Sequence, residues 1–240
     1  MEYTIRSFKG TRTEQQDRAA VIVKENGIFA VVCDGMGGCE NGGTISRVAV
    51  EELCFRFEHS VCSDFIGFMS KEAADLDKKI GRIYRRRGGT TLLAAFVDNS
   101  GKLSWFSLGD SRLYLYGKDG AEQLTEDHNY FAKLNKMLAE GRITEETYRR
   151  EAQRGHALTS FLGVNGLSLC CTGERQIEHT DVVLLTSDGL YKAIRPESFC
   201  EIVRSGGGLE SAADNMLGSV CKIKDRAIDN TTFILIGIGV

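Results

Sequence analysis

Four aspartates stand at the ends of apolar runs, and three of them are joined directly to glycine. They are Asp34 in Ala30-Val31-Val32-Cys33-Asp34-Gly35, Asp110 in Trp105-Phe106-Ser107-Leu108-Gly109-Asp110, and Asp188 in Leu184-Leu185-Thr186-Ser187-Asp188-Gly189. The fourth, Asp229, stands just before Thr231-Thr232-Phe233-Ile234. Short apolar runs of this kind suit buried strands, and the adjoining glycine suits the turn that ends each strand. Carboxylates at strand ends can converge without placing a charge inside the sheet. Converged, they repel one another and call for cations. Oxygen donors without histidine or thiolate suit Mg²⁺, Mn²⁺ or Ca²⁺ rather than zinc. A single Asp-Gly is usually no more than a turn, but four such ends in one chain point to a shared site.

Composition removes several other classes. The chain has 240 residues, with 30 Lys+Arg against 33 Asp+Glu, and the net charge of -3 gives no footing for nucleic acid or an anionic membrane. Hydrophobic residues at 42% with 26% charged residues describe a folded chain. Apolar runs such as residues 182–185 and 233–236 fall far short of the roughly 20 residues of a membrane span. Glu2 and Arg6 interrupt the start of the chain, so no secretory signal is expected there. No Pro-rich, Ser-rich or charged linker divides the sequence, so residues 1–240 are expected to form one domain. The eight cysteines form no C-x-x-C pair, and the expected setting is a reducing cytoplasm without disulfides. Cys33, Cys54 and Cys221 lie in apolar stretches and are expected to pack as small core residues. The C-x5-R loop of cysteine phosphatases is absent, because Cys33 is followed six residues later by Cys39 rather than arginine.

The elements that must position the aspartates follow from periodicity. Residues 18–24 and 28–33 are apolar runs split by Glu25-Asn26-Gly27, which predicts a hairpin. Ile45, Val48, Ala49, Leu53 and Phe57 give residues 44–57 a helical period. Residues 65–84 read as a second helix with Lys and Arg collecting in its last turns, where the helix dipole favours them. Strands are predicted at 90–97, 103–108 and 112–116, and short helices at 129–140 and 145–154 around Gly141. Strands at 167–172 and 181–186, helices at 197–203 and 209–221, and a last strand at 231–238 complete the chain. Segregated blocks of strands and helices predict an α+β fold with a two-sheet core covered by helices.

With these motifs assembled, the sequence resembles the metal-dependent protein phosphatases, the PPM or type 2C family, in its compact bacterial form. The resemblance runs in order through Arg12-Thr13-Glu14-Gln15-Gln16-Asp17, Asp34-Gly35-Met36-Gly37-Gly38 and Gly89-Thr90-Thr91. It continues through Gly109-Asp110-Ser111-Arg112, Leu124-Thr125-Glu126-Asp127-His128, Leu158-Thr159 with Leu162-Gly163, Ser187-Asp188-Gly189-Leu190 and Asp229-Asn230-Thr231. It implies a central β-sandwich of two antiparallel sheets flanked by helices, a four-layer αββα arrangement. It implies a serine/threonine phosphatase acting on phosphoproteins by direct attack of a water shared between two divalent ions, Mn²⁺ or Mg²⁺. Asp34 would bridge the two ions with the Gly35 carbonyl as a further ligand, and Asp188 and Asp229 would complete one shell. Asp17 would act close by, largely through water, and Asp110 would help hold a third, weaker ion. Arg12 would bind the substrate phosphate, which makes Arg12 and Asp17 the catalytic candidates beside the metal ligands. Residues 128–157 fall where bacterial members carry a flap. A cognate serine/threonine kinase, a monomeric state and the absence of nucleic-acid or membrane partners are further expectations.

The chain departs from the family pattern at three places. Gln15 stands where the family has asparagine, and Gln16 where some members have a metal-facing glutamate. Met36 occupies the position at which animal members have a histidine proposed as general acid, so no group is assigned to protonate the leaving oxygen. His59, His156 and His179 are read as structural or solvated. Two other readings stand beside the enzyme. A catalytically weak relative that binds phosphoproteins as a regulatory module would have no reason to keep Arg12, Asp34, Asp188 and Asp229 together. A calcium-binding structural domain would need a D-x-[DN]-x-[DN]-G loop, which the chain lacks.

Overall fold

The computed structural model describes residues 1–36, 41–204 and 207–239. Its strands are β1 (Glu2–Phe8), β2 (Asp17–Lys24), β3 (Gly27–Asp34), β4 (Leu92–Asp98), β5 (Lys102–Leu108), β6 (Arg112–Gly117), β7 (Gly120–Gln123), β8 (Cys171–Gln176), β9 (Val182–Thr186) and β10 (Thr231–Gly237). They build two sheets, β2-β3-β4-β5-β8 and β1-β10-β9-β6-β7, and every pairing is antiparallel. Strand β3 shows why. Ile28, Ala30 and Val32 pack towards the other sheet, against Ile234 and Ile236. Phe29, Val31 and Cys33 point the opposite way, into a layer of helices. A strand covered on both faces has no solvent side, so its sequence is a continuous apolar run instead of an alternation.

The helices cover the outer faces. Helices α1 (Gly42–Glu58) and α2 (Phe65–Ile83) pack on the β3 sheet through Phe57, whose ring stacks on Phe29 at 4.2 Å between centroids. Helix α5 (Asp188–Ala193) contributes Leu190 and helix α7 (Gly208–Cys221) Ala213 and Met216 to the core over the β10 sheet, and α6 (Cys200–Arg204) packs the half-buried Ile202 and Val203 against it. The layers are therefore helix, sheet, sheet, helix, as the α+β reading requires. Helices α3 (Tyr130–Ala139) and α4 (Glu145–Glu151) form an excursion that buries only Leu134.

One buried carboxylate ties α2 to a distant loop. Asp77 is 2% exposed and accepts backbone N–H bonds from Gly163 at 2.8 Å, Asn165 at 3.0 Å and Gly166 at 2.7 Å. The adjoining Leu162 exchanges backbone bonds of 2.9 and 3.1 Å with Thr90. Asp77 thus holds a loop that in turn supports Thr90.

Several local expectations need correction. The strand expected at 167–172 lies at Cys171–Gln176, because this edge strand pairs only with β5 and can carry Glu174, Arg175 and Gln176 as exposed residues. Residues 197–203 are not one helix: a 3₁₀ turn, Pro196–Phe199, precedes α6. Strands β1 and β7 and helix α5 were not expected from the sequence pattern. Cys221 is exposed at the end of α7 instead of packing in the core, whereas Cys33 is buried and Cys54 half-buried. Gly37, Gly38, Cys39 and Gly206 lie outside the described residues.

Candidate active site

The β2–β3 hairpin is tied off by Glu25-Asn26 at one end and opens at the other, where Asp17 and Asp34 are direct partners in register. Three more carboxylates arrive at this end: Asp110 from the turn between β5 and β6, Asp188 from the start of α5 just after β9, and Asp229 just before β10. Asp34, Asp110, Asp188 and Asp229 line one cavity of about 370 Å³, together with Arg12 and Lys192. Asp17 lies beneath it, 2% exposed. The structure therefore brings all the expected carboxylates and Arg12 to one end of the sandwich.

Backbone contacts fix this convergence. Thr90 Oγ1 and the Thr91 N–H both donate to the Asp34 carbonyl at 2.9 Å, and the Asp34 N–H donates to Thr91 Oγ1 at 2.8 Å. The Met36 N–H donates to the Gly89 carbonyl at 3.0 Å. Gly89-Thr90-Thr91 is thus a splint for the segment carrying Asp34. At Gly35 a Cβ would stand 2.5 Å from the Gly42 carbonyl oxygen, so only glycine lets the α1 entry close on the strand end. At Gly189 a Cβ would stand 2.0 Å from the Asn230 carbonyl oxygen, and glycine there lets the Asp188 and Asp229 turns touch. Asn230 completes the assembly. Its amide donates to the carbonyls of Lys9 at 2.8 Å and Glu14 at 2.9 Å, and its Oδ1 accepts from the Gln16 N–H at 2.8 Å. This staples the loop bearing Arg12 to the turn bearing Asp229. Gln15, at the position of the family asparagine, donates to Ser7 Oγ at 2.7 Å and accepts from the Asp17 N–H at 3.2 Å.

The electrostatics follow from burial and like charge. Burial, reinforced by the charge of Asp188, pushes the Asp17 carboxyl up to about 7, against the hydrogen bond that Ser187 donates at 2.7 Å. Burial and then the charges of Asp17, Asp188, Asp110 and Asp229 hold Asp34 well above the ordinary carboxylate range. Asp110 is pushed up to about 6 by burial and by Asp188. Two side chains oppose the negative charge. Arg12 donates to Asp229 through Nε at 2.8 Å and Nη2 at 2.7 Å, and Lys192 pairs with Asp188 from one turn further along α5.

This donor set fits hard divalent cations. Five carboxylates face two fixed cations, and Asp17 Oδ1 is buried without a hydrogen-bond partner among the described residues. No three carboxyl, imidazole or thiol groups among the described residues form a ready-made cage. Asp229 and Asp188 instead turn to Arg12 and Lys192, with which a divalent ion would compete.

Other residues of the site carry roles that the sequence did not assign. Ser187 orients Asp17. Arg112 grips Asp127 through two bonds of 2.9 and 2.7 Å and lies 3.7 Å above the Tyr191 ring, while Tyr191 donates to the Asp110 carbonyl at 2.9 Å. His156, expected to be structural or solvated, packs edge-on against Phe131 and lines the cavity. Lys192 carried one usable signal, its i, i+4 spacing from Asp188, but that signal requires knowing that α5 is a helix.

The sequence profile of the family described as "Protein phosphatase 2C" matches residues 9–216. The chain belongs to this family. It is 28% identical over 235 residues to the serine/threonine phosphatase stp of Listeria welshimeri, covering 94% of this chain and 90% of that protein. A bacterial serine phosphatase crystal structure superposes with a TM-score of 0.85 at 25% identity, covering 100% of this chain and 99% of the other. The catalytic domain of the phosphatase PstP, solved in complex with two manganese ions, shares the fold with a TM-score of 0.77 at 22% identity, covering 98% and 96%. Among the described residues, no helix is long and apolar enough to cross a membrane.

Proposed function

We propose that this chain is a metal-dependent protein phosphatase that removes phosphate from phosphoserine and phosphothreonine side chains of proteins. The observation that carries this reading is the convergence of five carboxylates, one with a buried unpartnered oxygen, on a cleft whose rim carries a half-exposed arginine. Asp34, the Gly35 carbonyl, Asp188, Asp229 and Asp17 are suited to hold a pair of Mn²⁺ or Mg²⁺ ions, and Asp110 a weaker third. Bound there, such ions lower the pKa of water and offset charge on phosphoryl oxygens. A protein with this fold was solved with two manganese ions, which supports the assignment.

The chain's own residues supply the remaining functions. Arg12 presents a planar donor fork already shaped to two carboxylate oxygens, and phosphate offers the same spacing. Exchanging Asp229 for a phosphate would let Arg12 orient the substrate. Asn230 keeps this arginine within reach by fixing the loop that bears it. Residues 128–157 act as a flap: α3 and α4 bury little, while His156 and Ala157 meet the cleft. Phosphoprotein chains pass beside it, which suits substrates produced by a serine/threonine kinase. The cysteine pattern supports a reducing compartment, the cytoplasm.

Hydrolysis of p-nitrophenyl phosphate and of a phosphothreonine peptide, with Mn²⁺ and with EDTA, tests the assignment. Metal-dependent turnover of both is expected. Phosphopeptide binding without turnover would instead favour the regulatory module. Arg12→Ala is expected to lower kcat/KM by roughly 10–150-fold, the equivalent of one charge-assisted hydrogen bond of about 1.5–3 kcal/mol. Both kcat and KM should change, because the guanidinium would touch oxygens in ground and transition states alike. An unchanged kcat/KM on the phosphopeptide would show Arg12 to be a surface partner of Asp229 only.

A further inference from the structure

Lys192 stands where three cavities meet. It lines the carboxylate cleft, a neighbouring cavity of about 720 Å³ that also reaches Phe131 and Lys136 of α3, and a third of about 480 Å³ beside Arg226. Its backbone is well fixed, because the preceding Tyr191 is held by Asp110 on one side and Arg112 on the other. The i, i+4 spacing on α5 brings the ammonium back onto Asp188. The charges of Asp110 and Asp34 reach it as well.

The two cations of the site differ in their surroundings. Arg12 sits at the rim with about half of its side chain exposed, and its partner Asp229 is 34% exposed. It can leave for an incoming anion. Lys192 is more enclosed, and Asp188 is only 15% exposed. Beyond Asp188 it faces the charge of Asp110, the carboxylate suited to an additional ion. An ammonium is a compact, strongly hydrated point charge, which matches the requirements of a hard-cation site better than those of a planar bidentate clamp. It also cannot be displaced to bulk solvent without leaving its side chain tethered beside the site.

We propose that Lys192 is a resident counter-cation that competes with the outermost divalent ion for Asp110 and Asp188. The inference rests on the metal-dependent reading of the cleft. Under it, the chain carries part of its cationic charge within its own sequence, and a third ion enters only by working against Lys192. Lys192 is thus a positioning residue that sets the metal affinity of the cleft.

Calorimetric titration of Mn²⁺ into the purified chain tests this without reference to turnover. The variants are Lys192→Met, which removes the charge at similar length, and Lys192→Arg, which keeps it. Lys192→Met is expected to bind the weakest ion about tenfold or more tightly than wild type, since a like charge at short range has been removed. Lys192→Arg should retain the wild-type isotherm. If Lys192→Met gives the wild-type isotherm, or if Lys192→Arg tightens binding equally, the proposal is overturned. A raised KM for phosphopeptide with unchanged Mn²⁺ binding would make Lys192 a substrate contact and overturn it too. A wild-type chain that takes up no Mn²⁺ would overturn the metal reading itself, so the two failures are told apart.

Discussion

Asp34→Asn is expected to lose more than about 100-fold in kcat/KM at saturating Mn²⁺, and at the same time to raise the melting temperature in EDTA. Both effects come from one charge. Asp34 stands amid Asp17, Asp188, Asp110 and Asp229, whose charges together with burial oppose its ionisation. Asparagine keeps the shape and the backbone bonds to Gly89-Thr90-Thr91 while removing a like charge, so the fold gains. The site loses its central anion. Residues that merely orient metal ligands commonly account for 10–100-fold in affinity or activity, and a direct ligand should exceed that. Asp188→Asn and Asp229→Asn should lose turnover likewise, but without the gain in melting temperature, because their carboxylates are paired with Lys192 and Arg12. Assays of p-nitrophenyl phosphate hydrolysis beside differential scanning calorimetry check both halves. Wild-type turnover by Asp34→Asn would contradict the two-metal reading, and a lowered melting temperature would contradict the account of the cluster as self-repelling.

The largest expected effect on stability lies outside the cleft, at Asp77. Its carboxylate satisfies three backbone N–H groups at 2.7–3.0 Å in the loop of residues 163–166. Asp77→Ala leaves those donors without a partner and removes charge-assisted bonds, so a loss of about 3 kcal/mol or more is expected. Against a typical total of roughly 5–15 kcal/mol this is severe. Asp77→Asn should cost less, because its amide oxygen still accepts. Urea unfolding is the measurement, with a lowered midpoint and an unchanged slope. Equal stability of Asp77→Ala and wild type would show that the loop is held by other contacts. Because the loop continues into Leu162, which is paired with Thr90, some loss of turnover should accompany the loss of stability.

The legibility of the sequence varied with how local the determining interactions were. β3 was readable because burial on both faces leaves no polar position to interrupt it. The aspartates were readable because three of them follow an apolar run beside a glycine and the fourth, Asp229, stands just ahead of another strand. β8 was displaced by several residues because an edge strand with charged outward positions looks like loop, while the more apolar residues before it do not. α5, six residues long, is too short to show a period, and the role of Lys192 was hidden with it. The Arg12–Asp229 pair joins residues 217 apart in sequence, and Asn230 reaches back 221 positions to Lys9. Neither contact leaves a local trace. Family resemblance named the participants, but only the three-dimensional arrangement shows that Arg12 holds a carboxylate and that Gly89-Thr90-Thr91 braces Asp34.

The antiparallel seam between β1 and β10, with Glu2 opposite Gly237, has a consequence for synthesis. The Arg12 loop is made early and the Asp229 turn late, and Asn230 must arrive before either is fixed. A chain still emerging from the ribosome therefore holds an exposed strand edge on β9 and an unfinished acidic cleft until residues 229–237 are free. Chemical competence is acquired in one late step, when β10 slides between β1 and β9 and closes the second sheet. Partial translation products, or chains clipped ahead of residue 229, would be inert towards phosphoproteins and open to strand-edge association.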